Sequence, residues 1–373
     1  PIVMKKNLLV LLQIFLILSC TAKEPANITQ SCSFEINRGV NIAYFLSQST
    51  HRGEKRAAYF TADDINTIKE YGFDHIRLPI DEEQMFKEDG SKDTKAFELL
   101  KWTIDYSIKS GLKVIVDMHI LRSHHFTSGS NILFNDVKAQ EDFYQMWREI
   151  SGELRDFPNS MLAYELLNEP QAKKKEDWNN LVHNCYKAIR ELEPERVIVI
   201  GTNPSQSYLG AKYLDIPKND RNIIISFHYY DPFLLTHYRA RWTNQKDFDG
   251  PVHYPGITIT KEEYDQTDCD PIAKEAVRGY VGQFYDRAVF RKHIRQVVEI
   301  AAEYGLQVYC GEYGCLPSPP EEDRLAWHSD IETVFDQFGI SRAIWCYKDN
   351  KDGFGIIKDG EPDEAMLKAI HMK

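Results

Sequence analysis

The chain has 373 residues, enough for one large domain or two small ones, and its 43% hydrophobic and 27% charged content is that of an ordinary globular protein. The net charge of −11, with no basic stripe anywhere, argues against a nucleic-acid partner. Aromatic residues reach 12%, with 20 Tyr and 19 Phe; a packed core absorbs most of them, but flat rings are also what sugars stack on.

The N-terminus reads as a targeting segment. Met4-Lys5-Lys6 is a short basic start, and Leu8 to Leu18 is apolar apart from Gln13. That run is too short to span a bilayer and fits a signal peptide. It ends Ile17-Leu18-Ser19-Cys20, which resembles the lipobox of bacterial lipoproteins. The resemblance implies cleavage before Cys20 and a lipid on its thiol, hence export and a membrane anchor in the periplasm or at the cell surface; the alternative is a plain secretory signal cut a little later and a secreted protein. Residues 21–33 are polar and read as a flexible tether. The other cysteines are Cys32, Cys185, Cys269, Cys310, Cys315 and Cys346. With no CxxC pair, a structural zinc site is not expected, and mostly free, buried thiols are.

From residue 34 onward, strands and helices alternate. Arg38–Ile42 is a strand. Thr61–Tyr71 is a helix with Thr61 as N-cap, Asp63 and Asp64 in its first turn and Gly72 as its stop. Asp74–Ile80 is a strand, Thr94–Ser110 an amphipathic helix ended by Gly111, and Leu112–His119 a strand. A helix over Ala139–Phe157 is closed by Pro158. The fourth strand, beginning at Met161, runs into Asn168-Glu169-Pro170, where Pro170 cannot continue a sheet ladder. Helix Glu176–Leu192, strand Arg196–Thr202 and strand Asn222–Tyr230 follow, with a short helix after Pro204. An irregular segment over 231–282 separates the sixth strand from helix Phe284–Tyr304. Then come strand Leu306–Gly311, helix Glu321–Phe338, strand Ile340–Tyr347 and helix Pro362–His371. Eight continuous apolar strands, each followed by a helical connection, predict an α/β fold: a (β/α)8 TIM barrel over 34–373, with 231–282 as an insertion over the active-site face.

In such a barrel the C-terminal strand ends surround one cleft. They carry Arg77, His119, Asn168, Glu169, His228, Tyr230, Glu312 and Trp345. Two carboxylates, from the fourth and seventh strands, are expected to face each other. Glycoside hydrolysis needs such a pair, one protonated and one ionised. Arg77 is expected to hold one as a carboxylate, Tyr230 to donate to the same oxygen and His228 to orient the other. Trp345 offers a flat face to a sugar. The pair His124-His125 has no third anchored partner and reads as solvated loop, so no metal and no cofactor are expected.

Six short motifs carry a resemblance: Ile76-Arg77-Leu78-Pro79, Asp117-Met118-His119, Leu167-Asn168-Glu169-Pro170, Phe227-His228-Tyr229-Tyr230, Gly311-Glu312-Tyr313-Gly314 and Ile344-Trp345. Together, in this order, they resemble glycoside hydrolase family 5, the cellulase family. The resemblance implies a retaining mechanism with Glu169 as acid/base and Glu312 as nucleophile. It implies that Asn168 bonds the sugar 2-hydroxyl, that Arg77 and Tyr230 support Glu312, and that His119 and Trp345 bind sugar. The loop after His119 departs from the family pattern. Within the insertion, Pro232 to His237 followed by Trp242 is similar to a loop of some cellulase-family glucanases. Its rings, Phe233, Tyr238, Trp242, Phe248, Tyr254, Tyr264 and Tyr280, are expected to wall the cleft, with Trp242 stacking on sugar. The bland alternative is a lid whose rings pack only on each other. The expected partner is a polysaccharide or oligosaccharide, most of all β-1,4-glucan cut internally by a monomer. Mannan, xyloglucan or exo-acting glucosidase activity are alternatives within the family. Outside it, the competing reading is a surface barrel that binds glycan without cleaving it.

Overall fold

A computed structural model describes residues 33–129, 131–349, 351 and 353–372; the expected signal segment and nearly all of the expected tether lie outside them. Eight parallel strands close into a barrel: Arg38–Asn41, His75–Asp81, Lys113–Ile120, Leu162–Glu165, Val197–Gly201, Ile223–Tyr229, Gln307–Tyr313 and Ser341–Ile344. The eighth pairs with the first in the register Arg38↔Arg342, Gly39↔Ala343 and Val40↔Ile344. Gly39 is required there, because a Cβ would lie 2.3 Å from Nε2 of His75 across the second strand.

The helices begin and end where local chemistry dictates. Thr61 accepts from the amide of Asp64 while the Asp64 carboxylate accepts from the Thr61 amide, a reciprocal cap. Asp93 and Asp136 cap Thr94–Lys109 and Val137–Leu154 one way only, each carboxylate accepting from the amide three residues on, of Ala96 and Ala139. Gly305 and Gly339 end their helices in the left-handed conformation, at φ 66° and 64°. Two helix starts differ from the sequence reading. The last helix is Glu364–Ala369, and Pro362 instead pairs with Ile357 in a two-strand ribbon. Phe284–Tyr285 is not the start of a helix but one side of a two-strand ribbon with Gly256–Ile257; the helix starts at Arg287, after the N-cap Asp286.

Across the barrel from the catalytic face, Phe34 and Ile36 close the inner core together with Ile115, Val199, Ile224 and Tyr309. Helix Glu321–Phe338 is fastened to the eighth strand by charge: Arg342 bonds Glu332 and Asp336, and Arg38 reaches the same two carboxylates. Among the described cysteines, Cys185, Cys310 and Cys315 are buried free thiols, and Cys269 is a partly exposed one.

The segment after the sixth strand folds into short pieces: helices Phe233–Thr236, Lys261–Gln266 and Pro271–Val277, and the ribbon already described. Much of it is anchored on the outer helices. Tyr254 stacks on Phe290 at 5.4 Å and donates to Asp330, and Trp327 donates to the carbonyl of Asp231.

Candidate active site

The second strand delivers Arg77 to the centre of the barrel, fully buried. A buried cation must be met by acceptors on every face, and here they come from four other strands. Nε donates to Glu165 (2.7 Å), Nη1 to Glu312 (2.7 Å) and to Asn41 Oδ1 (3.0 Å), and Nη2 to Asn168 Oδ1 (2.9 Å). Asp117 stands 3.1 Å from Nη2. One guanidinium thus serves three buried carboxyls, too many for all to stay ionised. Burial raises Glu165 and pushes Asp117 up to about 7, with Arg77 only partly opposing it.

Glu169 and Glu312 sit on either side of His228. The Nδ1 of His228 is 3.0 Å from Glu169 Oε1 and 3.6 Å from Glu312 Oε2, and one oxygen of each carboxyl lies within 4.8 Å of the other. The environments differ as proton transfer requires. Glu312 also accepts from the Tyr230 hydroxyl at 3.0 Å. Burial raises it, while Arg77 foremost and then the Tyr230 bond pull it back. Burial and the nearby Glu312 raise Glu169 well above the usual carboxylate range. Burial likewise drives His228 far below its ordinary value, so its ring is neutral. Both carboxyls are raised, Glu169 the further, so a shared proton is favoured on Glu169 over Glu312, the direction that acid-assisted displacement needs. Arg77, His228, Tyr230, Glu169 and Glu312 all meet in one place.

His119 stacks on Trp345, with centroids 5.7 Å apart and planes 7° apart. Burial holds His119 down at about 4, so it too is neutral. Gln48 Nε2 lies 2.9 Å from its Nε2 and Asp117 Oδ2 lies 2.7 Å from its Nδ1. The amide donor fixes the tautomer: the proton is on Nδ1, facing Asp117.

The cleft above these groups has a volume of about 550 Å³. Asn168, Glu169, Glu312, His119 and Trp345 form its floor; Tyr44 and Phe126 stand at its sides. The insertion contributes one wall, through Phe233, His237 and Trp242, joined by Phe354. His237 stacks on Phe233 at 3.9 Å and meets Trp242 and Phe354 edge-on. Trp242 is 46% exposed. Of the seven insertion rings, only Phe233 and Trp242 line the cleft. Tyr238, Phe248 and Tyr254 are buried in the core, and Tyr264 and Tyr280 pack against it.

One reading is corrected outright: His124 is not solvated but 1% exposed, edge-on to Phe134, because the loop folds back so that Leu121 and His124 pair backbone to backbone. Burial takes it down to about 3, and it is a neutral core residue. Glu165, Gln48 and Gln206 were not singled out from sequence. For Glu165 a signal existed, since a charge inside a continuous apolar strand must be paired. Gln48 and Gln206 lie in loops and carry no such mark.

Comparison with known proteins agrees with this geometry. The description of the cellulase family, glycosyl hydrolase family 5, matches residues 39–351. Endoglucanase C of Acetivibrio thermocellus is 30% identical over 316 residues, 83% of this chain and 90% of that protein. Cellodextrinase A of Ruminococcus flavefaciens is 30% identical over 311 residues, 82% of this chain and 84% of that protein. A solved endoglucanase superposes with a TM-score of 0.71 at 27% identity, over 90% of this chain and 96% of its own. Thermotoga maritima Cel5A in complex with mannotriose shares the fold, with a TM-score of 0.71 at 23% identity over 91% and 98% of the two chains. A TIM barrel with a facing pair of glutamates, matched across its length by these relatives, is a glycoside hydrolase, and the chain belongs to glycosyl hydrolase family 5.

Proposed function

We propose that the protein is a retaining endo-β-1,4-glucanase. The observation that carries the reading is the pair Glu169 and Glu312, held within 4.8 Å at one oxygen each around a neutral histidine. Retaining enzymes keep their carboxyls about 5–5.5 Å apart, and inverting ones need about 6.5–9.5 Å to admit a water. Glu312, aimed by Arg77 and Tyr230, attacks the anomeric carbon and forms a glycosyl ester. Glu169 gives its proton to the departing oxygen, then takes one from the water that cleaves the ester. Asn168 has its carbonyl oxygen engaged by Arg77, so its NH2 is the group available to the sugar 2-hydroxyl. His119 and Trp345 contact the same ring.

The glucan preference rests on the names of the relatives, an endoglucanase and a cellodextrinase. A panel of glucan, mannan and xyloglucan scored for new reducing ends tests it; fastest release from mannan would overturn it. Proton NMR of the first product tests the mechanism: the β anomer is expected, and an initial α anomer would refute retention. We further propose that the enzyme is exported and held to a membrane through Cys20, on the lipobox-like run ending there. Cys20→Ala should release it from the membrane fraction or block its processing.

A further inference from the structure

Gln206 is fully buried in the loop after the fifth strand, with a left-handed backbone at φ 49°. Each of its polar groups meets part of the site. Its side-chain Oε1 accepts from the backbone amide of Glu169 at 2.7 Å. Its Nε2 donates to Glu165 at 2.9 Å and to Ser226 Oγ at 3.0 Å. Its carbonyl accepts from the amide of His228 at 2.7 Å. A Cβ on Gly201 would come 2.7 Å from Gln206 Cγ, so the strand beneath keeps a glycine to let this side chain pass. The surrounding loop is stitched to the one bearing Glu169: Ser205 donates to the carbonyl of Pro170, and Asn203 exchanges two bonds with Ala172.

Glu169 itself has φ 42°, a region that side-chain-bearing residues rarely adopt. The bond from its N–H to Gln206 Oε1 ties that backbone directly to the neighbouring loop. We propose that Gln206 is a positioning residue for the acid: it fixes the backbone turn that aims the Glu169 carboxyl at the glycosidic oxygen. Through the amide of His228 it also sets the imidazole that touches the same carboxyl. This rests on the reading of Glu169 as the acid/base. Gln206 touches neither substrate nor reacting atoms in this account.

Leaving-group dependence separates the possibilities. Aryl glycosides of a disaccharide that the wild type accepts, cellobiose first, are compared with phenyl and dinitrophenyl as leaving groups. Phenoxide needs a proton to leave; dinitrophenoxide does not. Gln206→Leu should lose about 10- to 100-fold more kcat/KM on the phenyl glycoside than on the dinitrophenyl one, the range expected when an acid is misaimed. A ratio of two substrates on one preparation cancels the folded fraction, so a destabilised variant still reports. Gln206→Glu keeps an acceptor for the Glu169 amide and, protonated beside Glu165 at the acidic end of the pH profile, a donor to that carboxyl, so assayed there it should bring the ratio back near wild type. Equal losses on both substrates for Gln206→Leu, or a Glu variant as selective as the Leu variant, would overturn the proposal. Glu169→Ala is run alongside. If it shows no selectivity, the acid/base reading has failed; if it does and Gln206→Leu does not, only the positioning role has failed.

Discussion

The two sides of the cleft are built on different physics. On the barrel side, Arg77, Glu165, Asp117, Glu312 and Asn168 are buried, and with the partly exposed Tyr230 they are joined by polar contacts of 2.7–3.2 Å. On the insertion side, Phe233, His237, Trp242 and Phe354 meet ring to ring, at centroid distances of 3.9–6.3 Å, and Trp242 is half exposed. Directional bonds to charge fix atoms within tenths of an ångström and are expensive to leave unmade. Ring contacts fix a surface and tolerate exchange. The first region is suited to chemistry and the second to choosing what lies over it.

That contrast can be broken most severely at Glu312. Glu312→Ala should lower kcat by roughly 10⁴-fold or more, since it removes the proposed nucleophile, and the hydrolysis rate on any substrate the wild type cleaves reads it. A loss below tenfold would remove Glu312 from the chemistry. Arg77→Ala comes next. It leaves Asp117, Glu165 and Glu312 without their shared cation, which should destabilise the fold by about 3–5 kcal/mol and raise the pKa of Glu312. The acidic limb of the kcat/KM profile should move to higher pH; a profile at the wild-type position would make Arg77 a stabiliser only.

Changes on the ring side should be milder and of another kind. Trp242→Ala should weaken transition-state binding of oligosaccharides by about 1–2 kcal/mol while the melting temperature holds. Lower stability with unchanged kinetics would mean that Trp242 belongs to the core. An effect on stability alone, with no change in chemistry, is expected from the pH dependence of His237, whose burial brings its pKa down to about 3. The unfolded chain takes up a proton there near pH 6.5, which the folded ring refuses until about 3. Stability is therefore present above that window and lost as pH falls through it. His237→Phe removes the loss. Melting curves of the two proteins should draw together or cross by a few degrees between pH 7 and pH 4, and parallel curves would refute it.

The barrel and the floor of the site were legible because strand ends carry their chemistry next to apolar runs that local pattern reveals. Glu169, Glu312 and Trp345 stand at or just past the end of such a run, whereas Arg77, expected at a strand end, sits inside the strand His75–Asp81. The insertion was not legible in the same way. The pairing of Gly256–Ile257 with Phe284–Tyr285 joins segments far apart in sequence, and no local periodicity encodes it; Phe284-Tyr285 beside a helical stretch reads as helix. His124 misled because a loop histidine carries no mark of a loop that folds inward. Gln206 and Gln48 were invisible because their role lies in bonds to groups that are adjacent only after the barrel closes.

The position of Phe34 has a topographic consequence. It is fully buried at the opening of the barrel opposite the cleft, capping the inner core. Whatever grips the chain just before it grips that face. Phe34 and the catalytic-face carboxyls therefore lie at opposite ends of the barrel. Tethered at this end, to a bilayer or to a bead, the molecule turns its working face outward with no linker having to bend around it.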